Sequence, residues 1–325
     1  MNASDAPANP CDQALAAWCA TAGFDDATTV AVAYSAGADS TALLLAAHRR
    51  WSGQVVALHV HHGLQAAANI FESHARAFCA AHGIALQVER VQAGHASGQS
   101  PEDAARQARY ASLARMATAV GAAVVLLGQH ADDQAETLLL ALSRGAGLPG
   151  LSAMAARFER HSMAFARPLL ALPAGDLRAW LLSQGHGFVD DPSNIDQRFT
   201  RNRIRAQLMP AWEACFPGFR NMLARSAEHA AQAHRLLDDL ALMDLADTGM
   251  PPAIASLQRL ARDRQANALR HWLRHGEGVA ASAAQLDELL DQVAACTTRG
   301  HRIRIKVAAG LVTREGDHLC YEASI

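Results

Sequence analysis

The first regular pattern in the chain is a short apolar run, TVAVAY at 29–34, which ends in Ser35-Ala36-Gly37-Ala38-Asp39-Ser40 and passes into TALLLAAHRR. Apolar run, turn residues and helical pattern in that order predict a strand, a tight turn and a helix. The unit recurs three times. QVVALHVH (54–61) precedes a helix over about 66–82, IALQVERV (84–91) precedes a helix from Pro101, and AAVVLLG (122–128) precedes a helix from about Asp132. The helix at 101 carries a full start signal, with Ser100 as N-cap, Pro101 at the first helical position and Asp103 in the first turn. Short apolar strands alternating with helices require a parallel sheet covered on both faces. The expected fold class is therefore α/β, a Rossmann-like open parallel sheet with helices on both faces.

A further strand-and-helix segment runs through FARPLL (165–170) and 173–184, then reaches a loop holding Asp190-Asp191-Pro192-Ser193-Asn194. Beyond about residue 215 the pattern changes. Amphipathic helical stretches at 218–246, 256–275 and 283–295 are followed by two strand candidates, HRIRIKVA and GLVTREGDHLCYEA. This predicts a smaller, mostly helical C-terminal domain, so the chain divides into 1–215 and 216–325 near Pro217-Gly218. The stretch Gly145-Ala146-Gly147-Leu148-Pro149-Gly150 matches a G-x-G-x-x-G pattern. It follows a helix instead of a strand and contains a proline, so it is rejected as a dinucleotide fingerprint.

Composition bounds the class. The chain has 325 residues, 50% hydrophobic, enough for two cores. Cys11, Cys19, Cys79, Cys215, Cys296 and Cys320 are scattered, with neither a C-x-x-C pair nor a histidine at metal-ligand spacing. They read as buried thiols in a reducing compartment, and no zinc site is expected. No window approaches the roughly 18 apolar residues of a membrane span, so a soluble, cytoplasmic protein with no membrane partner is expected. The net charge of −2 supplies no overall basic field, which moves any nucleic-acid argument onto local patches.

A turn between a parallel strand and a helix points backbone N–H groups and the positive helix end at one spot, which suits an anion. In the turn 35–40, Ser35 and Ser40 offer hydroxyls to phosphate oxygens, and Asp39 fits a magnesium ligand or a positioning group. Gly37 is expected to take any positive-φ position, leaving Ala36 with negative φ. Simple helix capping by Ser35 and Asp39 is the plainer alternative. A rival chemistry uses the same residues, because Ala33-Tyr34-Ser35-Ala36-Gly37 is one residue away from the nucleophile elbow of α/β-hydrolases, with Ser35 as nucleophile.

At the end of the fourth strand lie Gly128, Gln129, His130, Asp132, Asp133 and Glu136, on the edge where open parallel sheets bind ligands. Asp133 and Glu136 are three apart and share a helix face, where they can hold magnesium, receive an ammonium group or deprotonate it. Acids at a helix start also serve simply to stabilise its dipole. Arg106, Arg109 and Tyr110 lie on the helix that begins at Pro101, and the two arginines share a face fit for phosphate or RNA. His59, His61 and His62 end the second strand without a clear role. Arg198, Arg201, Arg203 and Arg205 have no acid between 197 and 212, and Arg299, Arg302, Arg304 and Lys306 cluster near the C-terminus. Each group reads as a phosphate-binding patch or as a solvated face.

These residues together carry a resemblance. Ser35 to Ser40 resembles the S-G-G-x-D-S loop of the PP-loop ATP pyrophosphatases. His59-Val60-His61-His62-Gly63-Leu64, Ala105 to Tyr110, Gly128 to Thr137, Arg144 to Gly147, Arg167-Pro168-Leu169-Leu170, Asp191 to Asn194 and Arg201-Asn202-Arg203-Ile204-Arg205 narrow it. Over about residues 28–215 the chain resembles the catalytic domain of the tRNA(Ile)-lysidine synthetases. Its tail resembles their first C-terminal domain, while a match to the second such domain of longer members is missing. Ala36 stands where the family usually has glycine, and His61 where it commonly has asparagine.

The resemblance implies a ligase that joins free L-lysine to C2 of the wobble cytidine of the tRNA(Ile) CAU anticodon, through an adenylated base, with ATP and Mg2+. It implies ATP binding at Ser35–Ser40, catalytic roles for Asp39, His130, Asp133 and Glu136, lysine binding at Asp133 and Glu136, and Asp39 as the magnesium ligand. The basic residues, Arg106, Arg109, Arg198, Arg201, Arg203, Arg205, Arg302 and Arg304, would then face tRNA. The lack of a paired active-site cysteine speaks against the related tRNA thiolases. A tRNA-binding protein whose ATP loop has decayed at Ala36 is the non-enzymatic alternative.

Overall fold

A computed structural model describes residues 8–25, 27–61, 67–91, 101–298 and 300–323. Expectations that rest on His62, Gly63, Leu64, Ser100 and Arg299 lie outside them. Two compact units divide the chain, Met1–Glu228 and His229–Ile325.

In the first unit the elements run α1 (Pro10–Ala22), β1 (Val30–Ala33), α2 (Ala38–Arg50), β2 (Val55–His61), α3 (Ala67–His82), β3 (Ala85–Arg90) and α4 (Pro101–Ala119). They continue through β4 (Val124–Leu126), α5 (Ala131–Ser143), α6 (Leu148–Leu151), β5 (Arg157–Arg160), β6 (Met163–Ala166), α7 (Ala174–Ser183), α8 (Thr200–Arg203) and α9 (Met209–Cys215). The six strands form one sheet in the order β3-β2-β1-β4-β6-β5. All neighbours are parallel except β5, which pairs antiparallel with β6. The Rossmann-like α/β expectation holds.

Alternation along the strands builds two cores. Val30, Val32, Val124 and Leu126 point to a cluster with Leu43, Leu44, Trp51, Phe78, Leu177 and Trp180, from α2, α3 and α7. Ala31 and Val125 point the other way, to Tyr110, Leu113 and Ala117 of α4 and to Phe165. Burial on both faces is why these strands are continuous apolar runs. It also places both central strand ends, after Ala33 and after Leu126, at one edge.

Three features were not anticipated. Helix α1 is capped by Asn9, whose Oδ1 accepts the Cys11 N–H at 2.9 Å. The β5–β6 hairpin turns on His161 and Ser162, both at positive φ (52° and 56°), without the Asn-Gly signature that usually announces such a turn. The segment GLVTREGDHLCYEA is two strands rather than one. Gly316, at φ 59°, reverses the chain between them.

The second unit holds the greater part of α10 (Phe219–Thr248), with α11 (Ile254–Leu257), α12 (Arg262–His271), α13 (Ala283–Ala295), β7 (Arg304–Val307), β8 (Gly310–Glu315) and β9 (His318–Ala323). Its three strands form an antiparallel sheet in sequence order. Leu257, Leu269, Trp272, Leu289, Val307 and Val312 are fully buried in its core. The chain division falls inside α10, whereas the change of sequence pattern lies near Pro217-Gly218.

The cysteines depart from expectation in part. Cys11, Cys79 and Cys296 are buried, but Cys19 and Cys320 are half-buried and Cys215 is exposed; all six are free thiols. No helix among the described residues is long and apolar enough to cross a membrane.

Candidate active site

The turn after β1 is the first element of the site. Its two serine hydroxyls are tied to each other, Ser35 Oγ lying 3.0 Å from Ser40 Oγ, and Ser40 Oγ donates to the Gly37 carbonyl at 3.0 Å. The Gly37 N–H donates to Ser35 Oγ at 3.3 Å. Gly37 is the N-cap of α2 and offers no side-chain cap, so the first-turn N–H groups of Ala38, Asp39 and Ser40 have no intrahelical acceptor and present an anion site.

The backbone of this turn corrects one expectation. Ala36 itself takes the left-handed conformation, φ 68°, while Gly37 is extended at φ −77° and ψ 166°. A left-handed alanine is strained by about 1 kcal/mol. The strain persists because the surroundings determine it. The Ala36 carbonyl accepts the Val189 N–H at 2.9 Å, and the Ala36 methyl is fully buried in the core under the turn.

The second element is the β4–α5 turn. Gly128 passes so close to α2 that a Cβ there would sit 3.1 Å from the Ser40 nitrogen and 3.2 Å from the Asp39 carbonyl carbon. His130 then caps α5: its Nδ1 accepts the Asp133 N–H at 3.4 Å, and Asp133 Oδ2 accepts the His130 N–H at 3.3 Å. The far side of the ring, Nε2, faces Asp39 Oδ2 at 3.5 Å and Asp133 Oδ2 at 3.4 Å. Burial alone would lower the His130 pKa, but the hydrogen bond to Asp39 and the charges of Asp133, Asp39 and Asp132 outweigh it and raise it above the ordinary 6.5. The structure thus brings Asp39, His130 and Asp133 together.

Glu136 lies on the same face of α5 as Asp133, as the spacing predicts, and is wholly buried. Arg205 reaches both, Nε to Glu136 Oε1 at 2.8 Å and Nη2 to Asp133 Oδ1 at 3.7 Å. Arg201 approaches Glu136 Oε2 at 4.0 Å, too far to hydrogen-bond, and that oxygen otherwise has no partner among the described residues. Burial pushes the Glu136 carboxyl up, against the lowering effect of Arg205. The premise that Arg198–Arg205 has no compensating carboxylates is therefore corrected. Arg205 and Arg201 face Glu136 from outside their own segment, and Arg198 pairs with Asp196 at 2.7 Å. Arg203 bonds only to the Gln197 carbonyl and Thr200 among the described residues.

The roles of Asp132, Arg167 and Arg220 were not anticipated from the sequence. Asp132 is an anchor, accepting the Ala174 N–H at 2.8 Å and Arg220 Nε at 2.5 Å, and Arg220 also pairs with Glu213. Arg167 is buried without a carboxylate partner among the described residues. Its guanidinium is held by Gln129 Oε1 at 2.7 Å, the Ala155 carbonyl at 2.6 Å and the Tyr110 hydroxyl at 3.3 Å, over the Phe158 ring. Arg167 thereby fixes Gln129, next to His130; its appearance in RPLL was the available signal. Burial lowers its pKa, and the nearby charges of Arg106 and Arg109 add to that. Those two arginines are exposed beside it on α4. His59, by contrast, is structural: its buried ring hydrogen-bonds the Tyr34 carbonyl at 2.8 Å.

In the second unit, Arg302, Arg304 and Lys306 are exposed while Ile303, Ile305 and Val307 are buried. Strand alternation thus sets the three cations in one row on the solvent face.

Comparison with known proteins decides the family. A family model described as a PP-loop domain matches residues 10–212, and one described as the TilS substrate binding domain matches residues 253–320. A tRNA(Ile)-lysidine synthase of Polaromonas naphthalenivorans is 63% identical over 290 residues, 89% of this chain and 88% of the relative. The chain belongs to the tRNA(Ile)-lysidine synthase family. A member from Burkholderia mallei is 43% identical over 316 residues, and the chain spans 63% of its length. The fold is also that of the U34-tRNA thiolase NcsA from Methanococcus maripaludis, with a TM-score of 0.58 at 15% identity, covering 67% of this chain and 77% of that one.

Membership in the lysidine synthase family fits the geometry better than the hydrolase alternative does. Ser35 Oγ bonds Ser40 and Gly37, and its described partners include no histidine, so no base is poised to activate it. The decayed-loop alternative is not favoured either, since the strained Ala36 is held in place on both its carbonyl and its methyl.

Proposed function

We propose that this chain joins free L-lysine to C2 of the wobble cytidine of a tRNA(Ile) with a CAU anticodon, consuming ATP. The observation that carries this reading is the meeting of the α2 phosphate turn with the His130–Asp133–Glu136 face of α5, through Asp39 and His130. The C2 carbonyl oxygen of cytidine attacks the α-phosphate of ATP and pyrophosphate leaves. The ε-amine of lysine then attacks C2 and AMP leaves, with one amine proton lost.

The chain's own groups suit both steps. The free N–H groups of Ala38, Asp39 and Ser40 bind phosphate oxygens and stabilise charge that builds there. Asp39, its side chain 37% exposed beside the phosphate turn, supplies a hard oxygen donor for Mg2+. When bound, Mg2+ supplies charge neutralisation at the phosphates. The Asp133–Glu136 pair already accepts a cationic side chain, that of Arg205, which supports its reading as the lysine amine site. As carboxylates these groups orient the amine and take its proton. Arg106, Arg109, Arg203, Arg302 and Arg304 remain as exposed cations for tRNA phosphates. A tRNA substrate and free lysine fit a cytoplasmic protein.

The direct test is AMP release from ATP in the presence of lysine and a tRNA(Ile) transcript. The expected result is AMP formation that requires both, with labelled lysine retained on the RNA. AMP release independent of tRNA, or no lysine on the RNA, would overturn the assignment.

A further inference from the structure

Helices α10 and α12 of the second unit run antiparallel to one another along a row of polar contacts. Arg264 pairs with Asp244, Asn267 Nδ2 donates to the Leu237 carbonyl at 2.6 Å, and His271 Nδ1 lies 3.5 Å from Asp238 Oδ1. Just beyond His271 the helix relaxes into a π-turn, Trp272–Gly276, which carries His275. The rings of His271 and His275 have centroids 4.4 Å apart. On α10, one turn before Asp238, His234 Nε2 approaches the other carboxylate oxygen, Oδ2, at 3.6 Å.

Two pairs at i,i+4 spacing, His234/Asp238 and His271/His275, thus face each other across a helix–helix contact. One ligand atom from each of Asp238, His271 and His275 lies within 4.8 Å of the other two. Four-coordinate zinc with bonds of 2.0–2.1 Å needs donor atoms about 3.3 Å apart, so only a modest contraction separates this arrangement from a coordination shell. A second observation points the same way. The His271 side chain is only 9% exposed, yet its Nδ1 has no hydrogen-bond partner among the described residues and is aimed at the Asp238 carboxylate, 3.5 Å away. A buried ring nitrogen left unsatisfied costs free energy unless something completes it. Interrupting an α-helix with a π-turn is itself unfavourable and recurs at functional sites.

We propose that Asp238, His271 and His275 bind one divalent transition-metal ion of the zinc class, with a water as fourth ligand and His234 orienting Asp238 through its free oxygen. Imidazole nitrogens with one carboxylate select such an ion over magnesium, which prefers oxygen donors. The carboxylate–histidine contact from His234 is the arrangement that commonly steadies a metal-bound group. The ion would pin α12 to α10. Sequence reading anticipated no zinc because it sought a linear motif, whereas these ligands come from two helices.

The test uses the untagged full chain, stripped with chelator and kept in excess Mg2+ so that the carboxylates of the catalytic unit are masked. Co2+ titration followed by visible absorption, and Zn2+ titration by calorimetry, should show one equivalent bound in the micromolar range or tighter. Zn2+ should raise Tm by about 2–4 °C or more. His275→Ala and Asp238→Asn should each weaken binding at least about tenfold and abolish the Tm shift. His275 is exposed, so its variant tests the site without emptying the core. Absence of saturable binding in the wild type, or a loss smaller than that in either variant, overturns the proposal.

Discussion

Asp39 and His130 meet across adjacent strands, Oδ2 to Nε2 at 3.5 Å, one from the turn after β1 and the other from the turn after β4. That contact couples the phosphate turn to the acid face of α5. Asp39→Ala is expected to abolish AMP formation, a loss of at least about a hundredfold, while tRNA affinity stays within a few-fold. AMP release and filter binding measure the two; full activity in the variant would remove the ATP-turn assignment.

Gly128 allows the two turns to come that close. In Gly128→Ala the new methyl meets the backbone of Asp39 and Ser40, which cannot rotate away as a side chain would. A destabilisation of about 1–3 kcal/mol and a KM for ATP raised about tenfold or more are expected. Thermal melts and ATP titrations check both, and wild-type values would mean the turns separate freely.

The raised pKa of His130 has a defined sign. A histidine whose folded value lies above its unfolded one adds stability in full below the unfolded value, 6.5, and loses it as the pH climbs through the folded value. Metal-free wild type should therefore exceed His130→Gln in Tm most below pH 6.5, with the gap closing as pH rises. A gap that widened toward alkaline pH would contradict the raised pKa.

Asp133 and Glu136 share a face but differ in burial. Asp133→Asn should raise the KM for lysine more than it disturbs ATP–pyrophosphate exchange. Glu136→Gln keeps the shape of the side chain and removes its charge; because Arg205 is 42% exposed and burial already disfavours the Glu136 carboxylate, stability should change by no more than about 1 kcal/mol. Equal losses in exchange and transfer for Asp133→Asn would make it a phosphate-side group.

Ala36→Gly trades opposing effects. It relieves left-handed strain of about 1 kcal/mol, while losing a buried methyl worth about 0.8 kcal/mol and gaining unfolded-state freedom. Stability should change by less than about 1 kcal/mol and kcat/KM for ATP by less than about tenfold. Activity appearing only in the glycine variant would mark the natural turn as inactive.

The sequence by itself determined the parallel α/β order and the helices that follow β1 to β4. Those follow from periodicities of two and of 3.6, which neighbours along the chain express directly. It also located Ser35–Ser40 and His130–Glu136, because a βα turn is a local object whose residues are contiguous. The His161-Ser162 turn stayed hidden because left-handed conformations in non-glycine residues are imposed by surroundings, and the same holds for Ala36, whose carbonyl is held by Val189 from far along the chain. Only the tertiary structure decided that Arg205 and Arg220 reach back to Glu136 and Asp132, that Gly128 lies against Ser40, and that Asp238 faces His271. Electrostatic and steric contacts act through space, and residues distant in sequence become neighbours only after the sheet and helices have packed.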